Sequence, residues 1–490
     1  MTRWPCSLLA AVASVIVRQA AAQQYDIVLR GGRVMDPATG LDAVRNVAIR
    51  GDRVVAVTAG ALTGKTVVDV TGMVVAPGFI DLHAHGQNLS DSRWQALDGV
   101  TTALEMESGA WPIAEWYENR AREGLLNFGA TVGHIPARIG HFSNATKLAE
   151  VRAARVNSGL TPDWSHKRLA PNELDGLIAN VKRGLDEGGL GVGLGITYTP
   201  AASPNEIHRV FELAAAERVP VYVHTRSSPV NEPGVSLLPV QEMLADALVT
   251  GAALHVVHLG STGLQQAPLL ARMIEAARKR GLDVTTEVYP YTAGSTLIQS
   301  ALFDEGWKER LGIDYGGLQW PATNERLTAE TFAKYRKEGG WVILHMIPEA
   351  TVDALVGHPG IMIASDGVPI INNRGHPRGV GTYARVLGRY VRERKILGLM
   401  DALRKMAYLP AERVRGVVPA MARKGRVSVG ADADLVVFDP ERVIDRATFD
   451  NPAQASAGIP HVLVNGVFVV RDGKLVDGVL PGQPVRRASR

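Results

Sequence analysis

Cysteine is almost absent from this sequence, and the single one, Cys6, lies within the first 22 residues. There Arg3 precedes an apolar run from Cys6 to Val17, and Ala20, Ala21 and Ala22 supply the small residues of a signal-peptidase site. Residues 1–22 are therefore expected to be a cleaved signal peptide, with the mature chain starting near Gln23 and exported to the periplasm. A mature chain without thiols excludes disulfides, thiolate metal ligands and a cysteine nucleophile. Any metal must then be held by His, Asp or Glu. A long apolar run is missing as well: the leader run falls short of the ~20 residues that span a bilayer, and Arg18 ends it, so no stable membrane insertion is expected after cleavage.

Excess charge of one sign is the third absence. The 53 Lys and Arg face 49 Asp and Glu, and removing Arg3 and Arg18 with the leader brings the two closer still. No basic tract stands out, which argues against nucleic acid as a partner. Hydrophobic residues make up 46% and charged residues 21%, a balance that can bury a core and does not match disorder. At 490 residues the chain has room for two structural units. Composition leaves the oligomeric state, a homo-oligomer included, open.

Residues 23–76 hold short β-branched runs separated by Gly, Asp, Asn and Pro, and the same texture returns over 421–482. Both chain ends are thus expected to build one small β-sandwich. Between them, over 77–420, apolar runs such as VPVYVHT, ALHVVHLG and GIMIASDG alternate with helical stretches such as NELDGLIANVKRGLDE and PNEIHRVFELAAAER. Alternation at this spacing predicts a parallel sheet of the α/β class, a (β/α)₈ TIM-like barrel, with a doubly wound open sheet as the alternative. Residues 297–340 carry Trp307, Trp320 and Pro321 without that alternation, and read as an insertion over the barrel mouth.

In GFIDLHAHG, His83 and His85 are two apart at the end of an apolar run, so on a strand they share one face. Imidazole suits zinc and similar ions, and catalytic residues sit at the C-terminal ends of barrel strands. His224, His258 and Asp366 close three further apolar runs. Each alone suits a hydrogen-bonded core residue; together, in one sheet with the HxH pair, they point to a metal site. His255, three before His258, is assigned to packing. Glu105 and Glu107 share a face near another strand end, where buried acids are costly unless paired or metal-bound. Glu107, nearer the end, is the expected bridging ligand, and a salt bridge to an arginine is the alternative.

Taken together, VVAPGFIDLHAH, YVHTRS, VVHLGS, EVYPYTAGST, IASDG, GHPRGVGTYARVLGRY and KGRVSVGADADLVVFDP resemble the N-acyl-D-amino-acid deacylase (D-aminoacylase) branch of the amidohydrolase superfamily, over nearly the whole mature chain. The resemblance implies a barrel beside a β-sandwich and one or two divalent ions, expected to be zinc. The substrate it implies is a small-molecule amide next to a free carboxylate. Its metal ligands fall on His83, His85, His224 and His258, and its catalytic aspartate on Asp366. Its carboxylate-binding arginine falls on Arg378, with Tyr289 and Ser295 beside it and Arg226 as a second choice. One departure is Ser108, where that branch has a metal-binding cysteine; either Glu107 or Glu105 takes over the bridge, or the second metal is lost. The segment GQNLSDSRWQALDG after HAH also departs from that branch. Two rival readings remain: a dipeptidase-like hydrolase of L-configured or aromatic amides, and a metal-free barrel that only binds.

Overall fold

Parallel strands covered on both faces need short, nearly continuous apolar runs, and the runs between residues 79 and 363 supply them. A computed structural model describes residues 24–156, 158–226 and 237–488; the expected signal peptide lies outside them. Eight parallel strands follow one another in chain order: β1 (Phe79–Asp81), β2 (Val100–Ala110), β3 (Asn127–Gly133), β4 (Val192–Gly195), β5 (Val221–His224), β6 (Leu254–Val256), β7 (Val284–Val288) and β8 (Met362–Ile363). Each pairs with its sequence neighbour. The helices between them are cut by local signals: in Pro204–Glu217, Ser203 caps the amide of Glu206, and Ile207, Val210, Phe211 and Ala214 form the buried stripe.

Closure decides between barrel and open sheet. Ala84 bridges Gly367 in parallel, the His85 amide donates to Gly367 O (2.8 Å), and the Gly367 amide to His83 O (3.2 Å), so the sheet closes into a barrel. Asp81 ties the same seam from below: its carboxylate accepts from the amides of His83 and Ser365 (both 3.0 Å) and from Ser365 Oγ (2.5 Å). Within the barrel, Ile80, Leu104, Met106, Tyr222, Val257 and Met362 share one buried cluster with Ala411, Val414 and Met421. The interior is therefore a packed core and not a channel.

Both chain ends form one nine-stranded sheet, joined where Val74–Pro77 pairs antiparallel with Leu435–Phe438. Leu29, Val47, Val75, Leu435 and Leu463 share its buried cluster, which gives the β-layer beside the barrel. A third, four-stranded sheet pairs Ala293–Leu297 with Trp341–His345, and adds Leu318–Trp320 and Glu325–Arg326. Its strands begin before and end after the 297–340 segment, because AGSTL and WVILH pair with each other across it. Phe303, Trp307, Phe332 and Leu344 give this unit a core of its own. Among the described residues no helix is long and apolar enough to cross a membrane.

Replacing Asp81 with alanine strands two buried amides and one hydroxyl at the barrel seam. Urea denaturation of the Asp81→Ala variant is expected to show a loss of about 3 kcal/mol, and a loss below about 1 kcal/mol would mean that the seam does not depend on this carboxylate.

Candidate metal centre

Strand geometry delivers the site. Just beyond β1, His83 and His85 point the same way; Glu105 and Glu107 lie on β2; His224 ends β5; His258 and Asp366 follow β6 and β8. His258 (φ 32°) and Asp366 (φ 50°) leave their strands with left-handed backbones. Such strain costs about 1–3 kcal/mol and gathers at functional sites.

Two ligand sets result, and Glu107 belongs to both: His83, His85, Glu107 and Asp366 form one, and Glu107, His224 and His258 the other. In the first, Glu107 Oε2 lies 2.8 Å from His83 Nε2 and 3.1 Å from His85 Nε2, and the two imidazole nitrogens are 3.2 Å apart. Asp366 Oδ1 lies 3.4 Å from His83 Nε2 and 3.3 Å from His85 Nε2. Ligands at about 2.0–2.1 Å from a tetrahedral zinc ion stand about 3.3 Å from one another; the imidazole pair and the Asp366 contacts match that spacing, while Glu107 lies nearer to His83, at hydrogen-bond distance. In the second set, Glu107 Oε1 is 2.8 Å from His224 Nδ1, which is 3.0 Å from His258 Nε2. One carboxylate thus offers an oxygen to each set, and the residues fit one or two divalent ions.

Electrostatics agree with the geometry. Burial opposes a charge on His83, yet Asp366, Glu287 and Glu107 outweigh it and raise its pKa well above the ordinary value. His85 behaves alike, driven by Glu105, Asp366 and Glu107. Burial pushes the Glu107 carboxyl up, but the four histidines hold it well below the usual range. Asp366 is likewise lowered against burial, by Arg378 and then His83. These carboxylates demand positive charge between them, as protons on imidazoles or as a metal ion.

Glu105, the rival for the bridge, is turned to another task. Its Oε2 lies 2.8 Å from His85 Nδ1, and its Oε1 accepts the Ser108 amide at 3.1 Å. Ser108 lines the cavity wall without joining either set. Sequence reasoning missed Glu287, which is buried on β7 with one oxygen 2.5 Å from His83 Nδ1 and the other 3.1 Å from His255 Nε2. Its pKa, pushed up by burial, falls to about 2 under the pull of His83 and His255. The rule that flagged Glu105 and Glu107, that an acid inside a strand needs a partner, applies equally to VTTEV. His255 also does more than pack: its Nδ1 lies 2.8 Å from Thr285 Oγ1, so a polar chain runs Thr285, His255, Glu287, His83. The face that His255 occupies on its strand does not reveal the acid opposite it, Glu287, which lies on the neighbouring strand.

The remaining candidates fall in two places. Arg378 is buried, its Nη1 2.9 Å from Asp366 Oδ2 as an ion pair not aligned as a hydrogen bond, and its Nη2 donates to Ser295 O at 3.2 Å. Its guanidinium stacks 4.6 Å from the centre of the Tyr289 ring, whose hydroxyl burial raises to about 12. Ser295 Oγ donates to Val342 O, and all three residues line the cavity. Arg226 is instead committed to Glu242, with contacts of 3.2 and 3.0 Å, and to Ala202 O. The cavity over the centre measures about 640 Å³, and Trp111, Ile139, Trp164, Leu297, Leu302 and Trp341 give it apolar walls.

A closed barrel with a histidine and carboxylate centre at its mouth defines the class, and residues 66–470 match the Amidohydrolase family, to which this chain belongs. It is 30% identical to an N-acyl-D-glutamate deacylase of Alcaligenes xylosoxydans xylosoxydans, over 91% of this chain and 94% of that one. The structure of an N-acyl-D-glutamate deacylase from Bordetella bronchiseptica, complexed with zinc and a phosphonate mimic of the tetrahedral intermediate, superposes with a TM-score of 0.76. The identity there is 26%, covering 95% of this chain and 100% of that one. A D-aminoacylase with a binuclear metal centre, described as activated by one metal and attenuated by the second, gives 0.77 at 26% identity, covering 94% and 100%.

Loss of an outer carboxylate that orients a ligating histidine typically weakens metal binding about 10- to 100-fold. Glu287→Gln is expected to show that loss in a competition titration of zinc against a chromophoric chelator. Unchanged affinity would separate the Glu287 chain from the metal centre.

Proposed function

We propose that this chain hydrolyses the linear amide of N-acyl amino acids bearing a free carboxylate, D-configured ones in first place, with one or two zinc ions at the barrel mouth. The observation that carries the reading is the Glu107 carboxylate offered to two ligand sets at the base of a large cavity. Family membership and the deacylases to which the chain is similar support the same reaction.

His83, His85, Glu107 and Asp366 would hold one ion, and Glu107, His224 and His258 a second. Bound there, a divalent ion polarises the scissile carbonyl and lowers the pKa of water towards ~7. Asp366, held ionised by Arg378 and His83, is ready to accept the proton of the attacking water and to pass it to the leaving nitrogen. Tyr289, kept protonated by burial, can donate its hydroxyl proton in a hydrogen bond to the oxygen that gains charge. Arg378 borders the cavity beside Ser295, with its Nε and Nη1 lacking hydrogen-bond partners, and is the cation nearest Asp366 for the substrate carboxylate. Apolar walls around the centre suit a bulky acyl group; they also favour aromatic amides as the second reading.

Removing a general base costs about 10²- to 10⁴-fold in kcat. Asp366→Asn is expected to fall by that much while elemental analysis finds at least one zinc retained; an active variant would overturn the assignment. A panel of N-acyl D- and L-amino acids, dipeptides and aromatic amides, run with and without chelator, tests the substrate class. Chelator-sensitive turnover of the D-series is the expected result, and preference for L-dipeptides or aromatic amides would establish the rival reading.

A further inference from the structure

We propose that His376 is a positioning residue for the substrate carboxylate: its imidazole fastens the first amide of the helix that carries Arg378 to the strand that carries Ser295. This rests on the amide-hydrolase reading and deepens it at the Arg378 pocket.

His376 is buried, two residues before Arg378. Its Nδ1 accepts the Arg378 amide at 3.1 Å, and its Nε2 lies 2.9 Å from Ala293 O. A carbonyl only accepts, so Nε2 carries the proton, and Nδ1, which receives an amide proton, does not. The two contacts together require the neutral imidazole in one tautomer. Burial, and then the charge of Arg378, keep it neutral by holding its pKa well below the ordinary value. Tyr291 and Phe449 meet the ring edge-on, at 5.5 and 5.1 Å between centres, and hold its plane.

Both contacts serve one pocket. Ala293–Leu297 is an edge strand of the third sheet, and the carbonyls of Ala293 and Ser295, two apart, face the same way. His376 Nε2 takes the first of them, and Arg378 Nη2 takes the second at 3.2 Å. The arginine is thus held at its backbone as well as at its guanidinium. Further along the helix Arg378–Arg385, Asp98 accepts the amides of Tyr383 and Ala384, but Gly381 (φ −137°) breaks the helical geometry in between. First-turn amides have no partner within a helix, and Pro377 has no N–H, so the Arg378 amide depends on His376. A shift at the Arg378 backbone moves the guanidinium off Ser295 O and the Tyr289 ring, and spoils the planar two-point grip on a carboxylate.

The test compares zinc-loaded wild type with His376→Phe, which keeps a ring against Tyr291 and Phe449 and loses both hydrogen bonds. N-acetyl-D-phenylalanine and its primary amide, each read by acetate release, differ only at the carboxylate. Dividing kcat/KM for the acid by that for the amide cancels effects on Asp366, on the metal and on folding, so a merely structural role leaves the ratio unchanged. His376→Phe is expected to lower the ratio about tenfold, the scale of a lost buried hydrogen bond. His376→Asn, whose Oδ1 replaces Nδ1 as acceptor, is expected to recover part of that loss. In an Arg378→Met background His376→Phe is expected to change the ratio less than about twofold further, because it acts through that arginine. A ratio unchanged by His376→Phe, or a full tenfold loss in the Arg378→Met background, overturns the proposal. If wild type hydrolyses neither compound, the amide-hydrolase reading fails separately; then, and equally if only the acid is turned over, calorimetry decides on His376. Binding of the acid about tenfold weaker to His376→Phe than to wild type, with the amide unchanged, supports the proposal. Equal binding of the acid to both proteins, or none, overturns it.

Discussion

Four carboxylates withdrawn from water at one end of a barrel set the terms for the rest of this structure. Glu105, Glu107, Glu287 and Asp366 are all buried within reach of His83 and His85. Buried anions this close are tenable only with positive charge between them. The protein answers with four imidazoles and Arg378, arranged so that the nitrogens converge at the spacing of metal ligands. Glu107 is the hinge of that arrangement because its two oxygens face different histidine pairs.

Holding it demands rigidity elsewhere. His83 follows β1 and Asp366 follows β8, the first and last strands, so the centre exists only if the barrel closes. The Gly367 bridge and the Asp81 carboxylate form that closure directly beneath the ligands. Around the first circle of ligands a second one fixes ring orientation: Glu287 on His83 Nδ1 and Glu105 on His85 Nδ1 leave both Nε2 atoms facing inward. The third sheet and the segment after β3 then raise walls about the mouth, converting a metal centre into a chamber that selects what reaches it.

Much of this was legible in the sequence because barrels write their site in a simple periodicity. Two histidines at spacing two, and single polar residues terminating apolar runs, announce strand ends, which is why His83, His85, His224, His258 and Asp366 could be gathered before any coordinates. Glu107 over Glu105 followed from position along the strand. What remained hidden is what depends on side chains meeting across the fold. Glu287 sits inside a strand rather than at its end, and His255 was read by its face alone. Arg226 shows the converse: its place two residues after His224 suggested the pocket, but Glu242 takes its charge.

The shared carboxylate is the claim on which the chemistry stands, and anomalous diffraction at the zinc edge from zinc-loaded crystals addresses it most directly. The account predicts density within bonding distance of Glu107 Oε2, His83 Nε2 and His85 Nε2, with any second ion at Glu107 Oε1 beside His224 and His258. Ions coordinated by Glu105 instead, or no ion at Glu107, would contradict it.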